Sequence, residues 1–330
     1  MTSKKDSFIG RRLHKRYIIM DLIAKGGMGR VYLARDQQYR DKVAIKYIPF
    51  SRVAPSDRPL FEARVLTKLS HPNLPKVREV FRDERAHYLV MEYISGETLH
   101  DLVKRRGSLS PERAARYVMS ILKVLNYLHG QERPIIHRDI KPSNLKFNAN
   151  GRLMLVDFGI AKELQPAKRT RLEARGALTR GYGPPEQYKG GTDGRTDIFA
   201  VGGVLYYLLT GKHPPDVQSH PETRHHHVDP RDENRKVPHA LAEIVVRATN
   251  MNKDYRYSNT EDMLYALKQA LFLSTAPQKT VGEVLEGVAA HLQHSTSSSN
   301  KNSRLMTMLF ILLLLLALIV IGYILFGAQI

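Results

Sequence analysis

The stretch IIHRDIKPSN, residues 135–144, is the most informative part of this 330-residue sequence. It places a His, an Arg, an Asp, a Lys and an Asn within eight residues, next to an apolar pair and around Pro142. Such a mixture suits neither a helix interior nor a strand, so the pattern predicts a loop that presents polar side chains from a fixed frame. Taken alone, the pattern also fits an ordinary polar loop, and the motifs around it decide between the two interpretations.

Four further motifs surround this loop in a fixed order. They are the glycine cluster of YIIMDLIAKGGMGRVYLA (17–34), VAIK (43–46), LMLVDFG (153–159) and PPE (184–186). With HRDIKPSN they resemble the motifs of eukaryotic-type (Hanks-type) serine/threonine protein kinases, over approximately residues 17–273. The resemblance implies an α+β, bilobal protein kinase fold, with a small β-rich N-lobe (17–91), a hinge (92–95) and a larger helical C-lobe (96–273).

The resemblance also gives chemical roles to the residues of the loop. Asp139 would accept the proton of a substrate hydroxyl, and Lys141 would be a charge partner for the transferring phosphate. Asn144 and Asp157 would hold the metal, although an Asp after an apolar strand can also start a turn. Two oxygen ligands suit Mg²⁺ (or Mn²⁺) bridging the phosphates of ATP, the co-substrate, better than zinc or iron.

Lys46 ends the short apolar strand VAIK. An exposed lysine at a strand end is the simplest interpretation of this position. In the family, the equivalent lysine bridges the α and β phosphates of the nucleotide and pairs with a helix glutamate. Glu62 is the expected partner, because residues 60–70 have apolar residues at helical spacing and place Glu62 on the side of Lys46.

The ATP site implied by the resemblance is lined mainly by the N-lobe and the hinge. Its predicted residues are Ile23, Ala24, Gly26, Gly27, Gly29, Val31, Ala44, Lys46, Met91, Glu92, Ile94 and Lys146. Glycines let backbone N–H groups approach a phosphate closely, although an ordinary hairpin uses the same residues. Two positions depart from the family and bear on nucleotide affinity. Ala24 replaces the first glycine of the loop, and Lys146 stands where an apolar residue usually lies beneath the adenine, so that its stem would fill this place while its ammonium reaches water.

The segment between Asp157 and Glu186 is rich in Lys and Arg and contains two threonines, Thr170 and Thr179. In kinases, such loops become ordered when a phosphate pairs with arginines, of which Arg138 is the usual one. Thr170 is therefore the candidate autophosphorylation site, and Thr179 is interpreted as part of the substrate platform.

Three residues of the C-lobe are expected to have structural roles. Glu186 would form a buried ion pair with Arg256, and Asp197, at the start of the apolar helix DIFAVGGVLYYLLTG, would hold the backbone of the catalytic loop. A second scaffold helix is predicted from Ser110 as its N-cap, with Pro at the first helical position, to His129.

Composition restricts the class of protein. The absence of cysteine excludes disulfides, thiolate metal sites and a cysteine nucleophile. The formal charge of +19 is compatible with nucleic acid, an anionic membrane surface or acidic substrates. Nucleic-acid binding lacks a recognition motif and would leave the catalytic residues unexplained. A membrane-bound pseudokinase scaffold is the alternative to an enzyme, although Lys46, Asp139 and Asp157 are all present.

The C-terminal part of the sequence predicts a membrane anchor. Residues 305–326 contain no charged residue and would span about 33 Å as a helix, which is long enough to cross a bilayer. Lys301 and Arg304 precede this segment and only residues 327–330 follow it, so the positive-inside rule predicts a cytoplasmic kinase domain. The C-terminal anchor and the sequence GGMGRVYLA most closely resemble those of bacterial membrane kinases.

Two flanking segments remain open to alternatives. The basic arm, residues 1–16, is interpreted either as solvated or as a contact with anionic lipid. Residues 274–304 contain an apolar helical face followed by a Ser-rich linker. This face could dock on the domain, lie on the membrane or mediate self-association.

Overall fold

The computed structural model describes residues 7–26, 29–50, 66–157, 181–189, 191–215 and 228–275. The chain divides into two units, Met1–Ser274 and Thr275–Ile330. The predicted amphipathic segment, linker and transmembrane helix belong to the second unit and lie outside the described residues. None of the helices in the described ranges is long and apolar enough to cross a membrane.

The N-terminal part folds into a six-stranded antiparallel sheet with the order β1-β2-β3-β4-β6-β5. Its strands are β1 (Arg12–Leu13), β2 (Tyr17–Gly26), β3 (Gly29–Asp36), β4 (Lys42–Pro49), β5 (Val77–Arg82) and β6 (Ala86–Glu92). Alternate residues face opposite sides of a strand. One side of the sheet therefore buries its own cluster, in which Tyr32, Ile45 and Tyr88 are almost inaccessible.

The C-terminal part is mostly helical. Its helices are α1 (Leu99–Arg106), α2 (Pro111–His129), α3 (Glu186–Lys189), α4 (Gly194–Thr210), α5 (His239–Ala248) and α6 (Thr260–Thr275). Two short strands, β7 (Leu145–Phe147) and β8 (Leu153–Leu155), form a hairpin beside them. Helix α4 is buried on all sides from Thr196 to Leu209, as expected for a helix that is apolar all round.

Capping residues determine where the two central helices begin. Ser110 caps α2 by accepting a hydrogen bond from the N–H of Arg113, with Pro at the first helical position. Helix α4 begins three residues earlier than the sequence indicated, at Gly194 instead of Asp197. The reason is local, because the side chain of Asp193 accepts from the N–H of Arg195 and forms the N-cap.

A second hydrophobic cluster joins the sheet to the helical part. It includes Ala44, Leu89 and Met91 from the other side of the sheet, together with Leu122 of α2 and Leu155 of β8. The predicted α+β arrangement of a β-rich lobe and a helical lobe is therefore confirmed for the described residues.

Asp36, at the end of β3, is a fully buried carboxylate held by cations. It accepts hydrogen bonds from Nε and Nη2 of Arg16, at 2.8 and 2.7 Å, from Arg78 at 3.0 Å, and from the N–H of Gln38 at 2.9 Å. Burial alone would raise the pKa of Asp36, but the hydrogen bonds from Arg16 and Gln38 outweigh it and lower the pKa to about 2. Asp36 therefore stabilises the N-lobe as a carboxylate.

We expect Asp36→Asn to lower the free energy of unfolding by about 1.5–3 kcal/mol at pH 7, the range for hydrogen bonds to charged groups. Because the folded pKa lies below the unfolded value, this stabilisation is present at neutral pH and is lost as pH falls through about 2. Urea unfolding at pH 7, 4 and 3 should show the difference from wild type shrinking below pH 4. Asp41→Asn is the control, because Asp41 pairs with Arg78 through a side chain that is 45% exposed. A loss as large for Asp41→Asn as for Asp36→Asn would contradict this account.

Candidate active site

The loop between α2 and β7 holds its polar side chains against each other. The Nδ2 of Asn144 donates to the carbonyl of Asp139 at 2.8 Å and to Oδ2 of its carboxylate at 2.9 Å. The Nζ of Lys141 lies 3.0 Å from the same Oδ2. A 3₁₀ turn over Pro142–Asn144 brings Asn144 back towards Asp139. The carboxylate of Asp139 is thus oriented by one cation and one amide.

Asp197 attaches this loop to the core of the helical lobe. Its carboxylate is inaccessible and accepts from the backbone N–H groups of His137 and Arg138, at 2.8 Å each. The Nε2 of His129 lies 2.8 Å from the same carboxylate. Arg138 adopts a φ of 62°, a conformation that costs roughly 1–3 kcal/mol and needs such surrounding contacts to persist.

Lys46 and Asp157 meet although 111 residues separate them. The ammonium of Lys46, whose side chain is only 6% exposed, forms an ion pair with Oδ1 of Asp157. Asp157 follows β8, which pairs with β7 directly after Asn144, and the N–H of Val156 donates to the carbonyl of Asn144 at 2.9 Å. These contacts link one ammonium from the sheet with Asp157, Asn144 and Asp139, and the place where these four residues come together is named the cleft. The expected partner Glu62 lies outside the described residues.

The predicted glycine-rich segment forms the hairpin between β2 and β3. Gly26 pairs with Gly29, while Gly27 lies outside the described residues. Gly29 has a φ of 151°, and a Cβ on it would lie 2.1 Å from the carbonyl oxygen of Tyr47, so no other residue fits here without a shift. Ile23 is exposed on β2. Ala24, also exposed, pairs with Val31 across the hairpin.

The predicted base-binding residues lie on adjacent strands and the connection that follows them. Val31 pairs with Lys46 across β3 and β4, and Ala44 pairs with Met91 across β4 and β6. Ile94 lies two residues after the end of β6 and is buried. The N–H of Glu92 donates to the carbonyl of Lys76 at 2.9 Å, so the group that Glu92 can offer to a base is its own carbonyl.

Lys146, the departure from the family pattern, is half-buried on β7. Its ammonium lies 5.5 Å from the centroid of the ring of Tyr93, which directly follows β6 in the connection between the lobes. Burial lowers the pKa of Lys146, and the nearby Asp101 opposes this shift. The ammonium therefore lies within the range of a cation–π contact with Tyr93.

The pair expected at the PPE motif is present in the helical lobe. Nη1 and Nη2 of Arg256 donate to the two oxygens of Glu186 at 2.6 and 3.1 Å, and the side chain of Arg256 is inaccessible. Arg256 also donates to the carbonyls of Asn250 and Arg195. The predicted loop residues Thr170 and Thr179 lie outside the described residues.

The residues around the cleft fit a magnesium ion that is shared with a nucleotide. Because the Nδ2 of Asn144 faces two oxygens of Asp139, the amide oxygen is the atom that Asn144 can offer to a cation. Asp157 adds a carboxylate. Within the described ranges, no group of three or more His, Cys, Asp or Glu residues could hold a metal. Mg²⁺ does not need such a group, since it keeps several waters and uses one or two carboxylates plus substrate phosphates.

Comparison with known proteins assigns this arrangement to a family. The sequence profile of the protein kinase domain matches residues 17–290. The chain belongs to the protein kinase family. This kinase is 34% identical over 272 residues to the serine/threonine-protein kinase PrkC of Bacillus subtilis, an alignment that covers 79% of the chain and 41% of PrkC. It is 32% identical over 270 residues to the serine/threonine-protein kinase PknB of Mycolicibacterium smegmatis, covering 77% of the chain and 42% of PknB.

Both of these relatives are named serine/threonine-protein kinases. The chain spans about two fifths of the length of each. Its fold also matches the crystal structure of the Mycobacterium tuberculosis PknI kinase domain, with a TM-score of 0.64 over 79% of this chain and 98% of that one. At 20% identity, this likeness is one of fold alone.

Two contacts of Arg138 in the kinase were not predicted from the sequence. Its Nε donates to the hydroxyl of Thr192 at 3.0 Å, and its carbonyl accepts from Nε2 of Gln187 at 2.8 Å. Thr192 immediately precedes Asp193, the N-cap of α4, whose carboxylate is paired with Lys253 at 3.1 Å. The arginine that precedes Asp139 is thus fixed by a neutral hydroxyl on the helical lobe. The two partners are 54 residues apart, so only a known sequence motif that includes Thr192 could have predicted this contact.

We expect Thr192→Val, which removes the acceptor at nearly constant volume, to lower kcat by up to about tenfold, or 1.4 kcal/mol. KM for ATP should stay within about twofold, because the partner of Thr192 is Arg138, which is not among the predicted nucleotide-binding residues. Steady-state kinetics of the full chain measure both values. Thr192→Ser keeps the hydroxyl and should retain most of the activity. Equal losses for the Ser and Val variants would mean that the hydrogen bond to Arg138 does not matter.

Proposed function

We propose that this chain is an ATP-dependent serine/threonine kinase that transfers the γ-phosphate of ATP to Ser and Thr hydroxyls of proteins, and that it autophosphorylates on Thr170. The observation that carries the proposal is the meeting of Lys46 with Asp157 beside the Asp139 and Asn144 contact. A scaffold that only packed two lobes would be held as well by apolar residues, because desolvation offsets much of the attraction within a poorly solvated ion pair.

In the mechanism, each residue acts from the position described above. Asp139 orients the substrate hydroxyl and accepts its proton on the carboxylate, whose Oδ2 is already held by Lys141 and Asn144. Lys141 lies close enough to Asp139 to neutralise charge on the transferred group, and Lys46 binds the nucleotide phosphates. Catalysis then rests on positioning and charge neutralisation, with little reorganisation during the reaction.

A bound Mg²⁺ would supply charge neutralisation on the nucleotide phosphates, and Asn144 and Asp157 are the residues that would hold it. The ion pair of Lys46 with Asp157 supports this assignment, because it places the carboxylate beside the ammonium that would bind the phosphates. Chelation of divalent cations should therefore abolish phosphoryl transfer.

The test is incubation of the full chain with γ-labelled ATP, Mg²⁺ and dephosphorylated casein, next to Asp139→Asn. The wild type should label both casein and itself, and the near-isosteric variant should lose at least about 10²-fold in rate, because a general base contributes about that much. Thr170→Ala should reduce label on the chain but not abolish label on casein. Both proteins should bind nucleotide with similar affinity, which the change in melting temperature on adding ATP reports.

Two results would contradict the proposed kinase activity. Binding of ATP without label on either protein would favour the pseudokinase scaffold. Equal label with Asp139→Asn would point to a contaminating kinase.

We propose further that the kinase is held at the cell membrane by a single C-terminal helix over residues 305–326, with the kinase domain on the cytoplasmic side. The support is the uncharged run itself and the two basic residues, Lys301 and Arg304, before it. Contact of the basic arm with anionic lipid and self-association through residues 274–304 are parts of the same proposal.

The anchor predicts that the full chain sediments with membranes and resists extraction at alkaline pH. A chain ending at residue 304 should be released into the supernatant. The matched control is the full-length double variant Leu313→Arg and Leu315→Arg, because each arginine at the helix centre costs about 2.5–3.5 kcal/mol of insertion. Sedimentation of the truncated chain with membranes would show that another segment binds them.

A further inference from the structure

Four rings from different parts of the helical lobe meet beside residues 181–185, the segment that leads into α3. They come from α1 (His100), from the segment itself (Tyr182), from α4 (Tyr207) and from the turn that follows α4 (His213). None of these residues belongs to the nucleotide cleft described above.

His213 lies at the centre of this cluster. Its ring stacks on Tyr207, with centroids 4.5 Å apart, and on His100, at 5.6 Å, with interplanar angles of 19° and 18°. Tyr182 meets it edge-on, at 5.9 Å and 82°, and the Tyr182 hydroxyl lies 2.8 Å from Nδ1 of His213. His100 is held in the same way, since the Tyr207 hydroxyl lies 3.1 Å from its Nδ1.

The protonation states suit a hydrogen bond from tyrosine to imidazole. Burial raises the pKa of Tyr182, which is only 4% exposed, so its hydroxyl keeps the proton. Desolvation by its neighbours and the proximity of His100 lower the pKa of His213, which favours the neutral ring that accepts at Nδ1. The outer part of His213 is exposed, so replacing it leaves the core intact.

The backbone around Tyr182 is also closely packed. Gly181 has a φ of 78°, and a Cβ on it would lie 2.4 Å from the carbonyl oxygen of Pro214. A Cβ on Gly203 of α4 would lie 3.1 Å from the Tyr182 ring. Five residues after Tyr182, Gln187 donates to the carbonyl of Arg138, next to Asp139. The segment therefore lies between the turn after α4 and the catalytic loop.

We propose that His213 is a positioning residue for the protein substrate, which acts by holding Tyr182 and with it the segment 181–185. The segment follows Thr179, which we assigned to the substrate platform, and it adjoins the loop that carries Asp139. His213 therefore controls how a substrate chain lies against Asp139, and not how ATP binds. The inference rests on the proposed kinase activity.

Two variants of the full chain remove the hydrogen bond and keep both rings, His213→Phe and Tyr182→Phe. Each should raise KM for dephosphorylated casein about fivefold, the effect of losing one neutral hydrogen bond, and leave KM for ATP unchanged. The double variant should be no worse than either single one, because both remove the same contact. His213→Asn places an amide near the position of Nδ1 and should return KM for casein to within about twofold of wild type.

A second readout does not depend on activity. Hydrogen exchange of the peptide covering residues 181–189 should be faster in His213→Phe and Tyr182→Phe than in wild type or His213→Asn, while exchange in β2 and β3 is unchanged. If the wild type phosphorylates nothing, the proposed activity fails and the exchange data alone decide the role of His213. Unchanged exchange at 181–189, or KM values for casein and ATP that rise together, would overturn the inference.

Discussion

The buried carboxylate of Asp197 is the interaction on which the catalytic arrangement depends. It lies on a helix enclosed on every side, and it accepts hydrogen bonds from two successive backbone N–H groups of the catalytic loop. A carboxylate in such a place needs donors to offset its desolvation, and the loop needs an anchor to maintain the left-handed Arg138. The N–H groups of the loop offset the desolvation of the carboxylate, and the carboxylate holds the loop in its conformation. The loop thereby acquires the rigidity of the hydrophobic core, and Asp139 acquires a fixed position.

The second constraint is the ion pair that joins the two lobes. Lys46 comes from the centre of the sheet, beside the buried apolar residues Ile45 and Leu89, and Asp157 comes from the end of a short strand in the other lobe. A poorly solvated ammonium is stable only opposite an anion. The same pair therefore brings the lobes together and leaves a strongly charged site at their boundary, where phosphates and a divalent cation can replace part of the interaction.

Much of this arrangement could be predicted from sequence because the motifs are local. The glycine hairpin, the helix that starts at Ser110 and the loop with Asp139 and Asn144 each depend on residues within a few positions of one another. Contacts between distant residues could be predicted only where the resemblance to the family implied them, as for Glu186 with Arg256. Nothing in the sequence indicated that Thr192 meets Arg138 or that His213 meets Tyr182, because both contacts depend on how the turn before α4 and the turn after it pack. The predicted start of α4 was wrong by three residues. Asp193 and Asp197 are both acids near the start of the helix, and only the capping geometry shows which of them is the N-cap.

The position of Asp197 in the chain has a consequence for biosynthesis. Asp197 lies 60 residues after His137 and accepts a hydrogen bond from the N–H group of that residue. At a translation rate of about 5–20 residues per second, the ribosome adds Asp197 roughly 3–12 s after the loop has been made. During that interval the two N–H groups of the nascent loop have water but not the Asp197 carboxylate as their acceptor, so a chain that stalls before α4 carries every catalytic motif and yet lacks the contact that holds the catalytic loop.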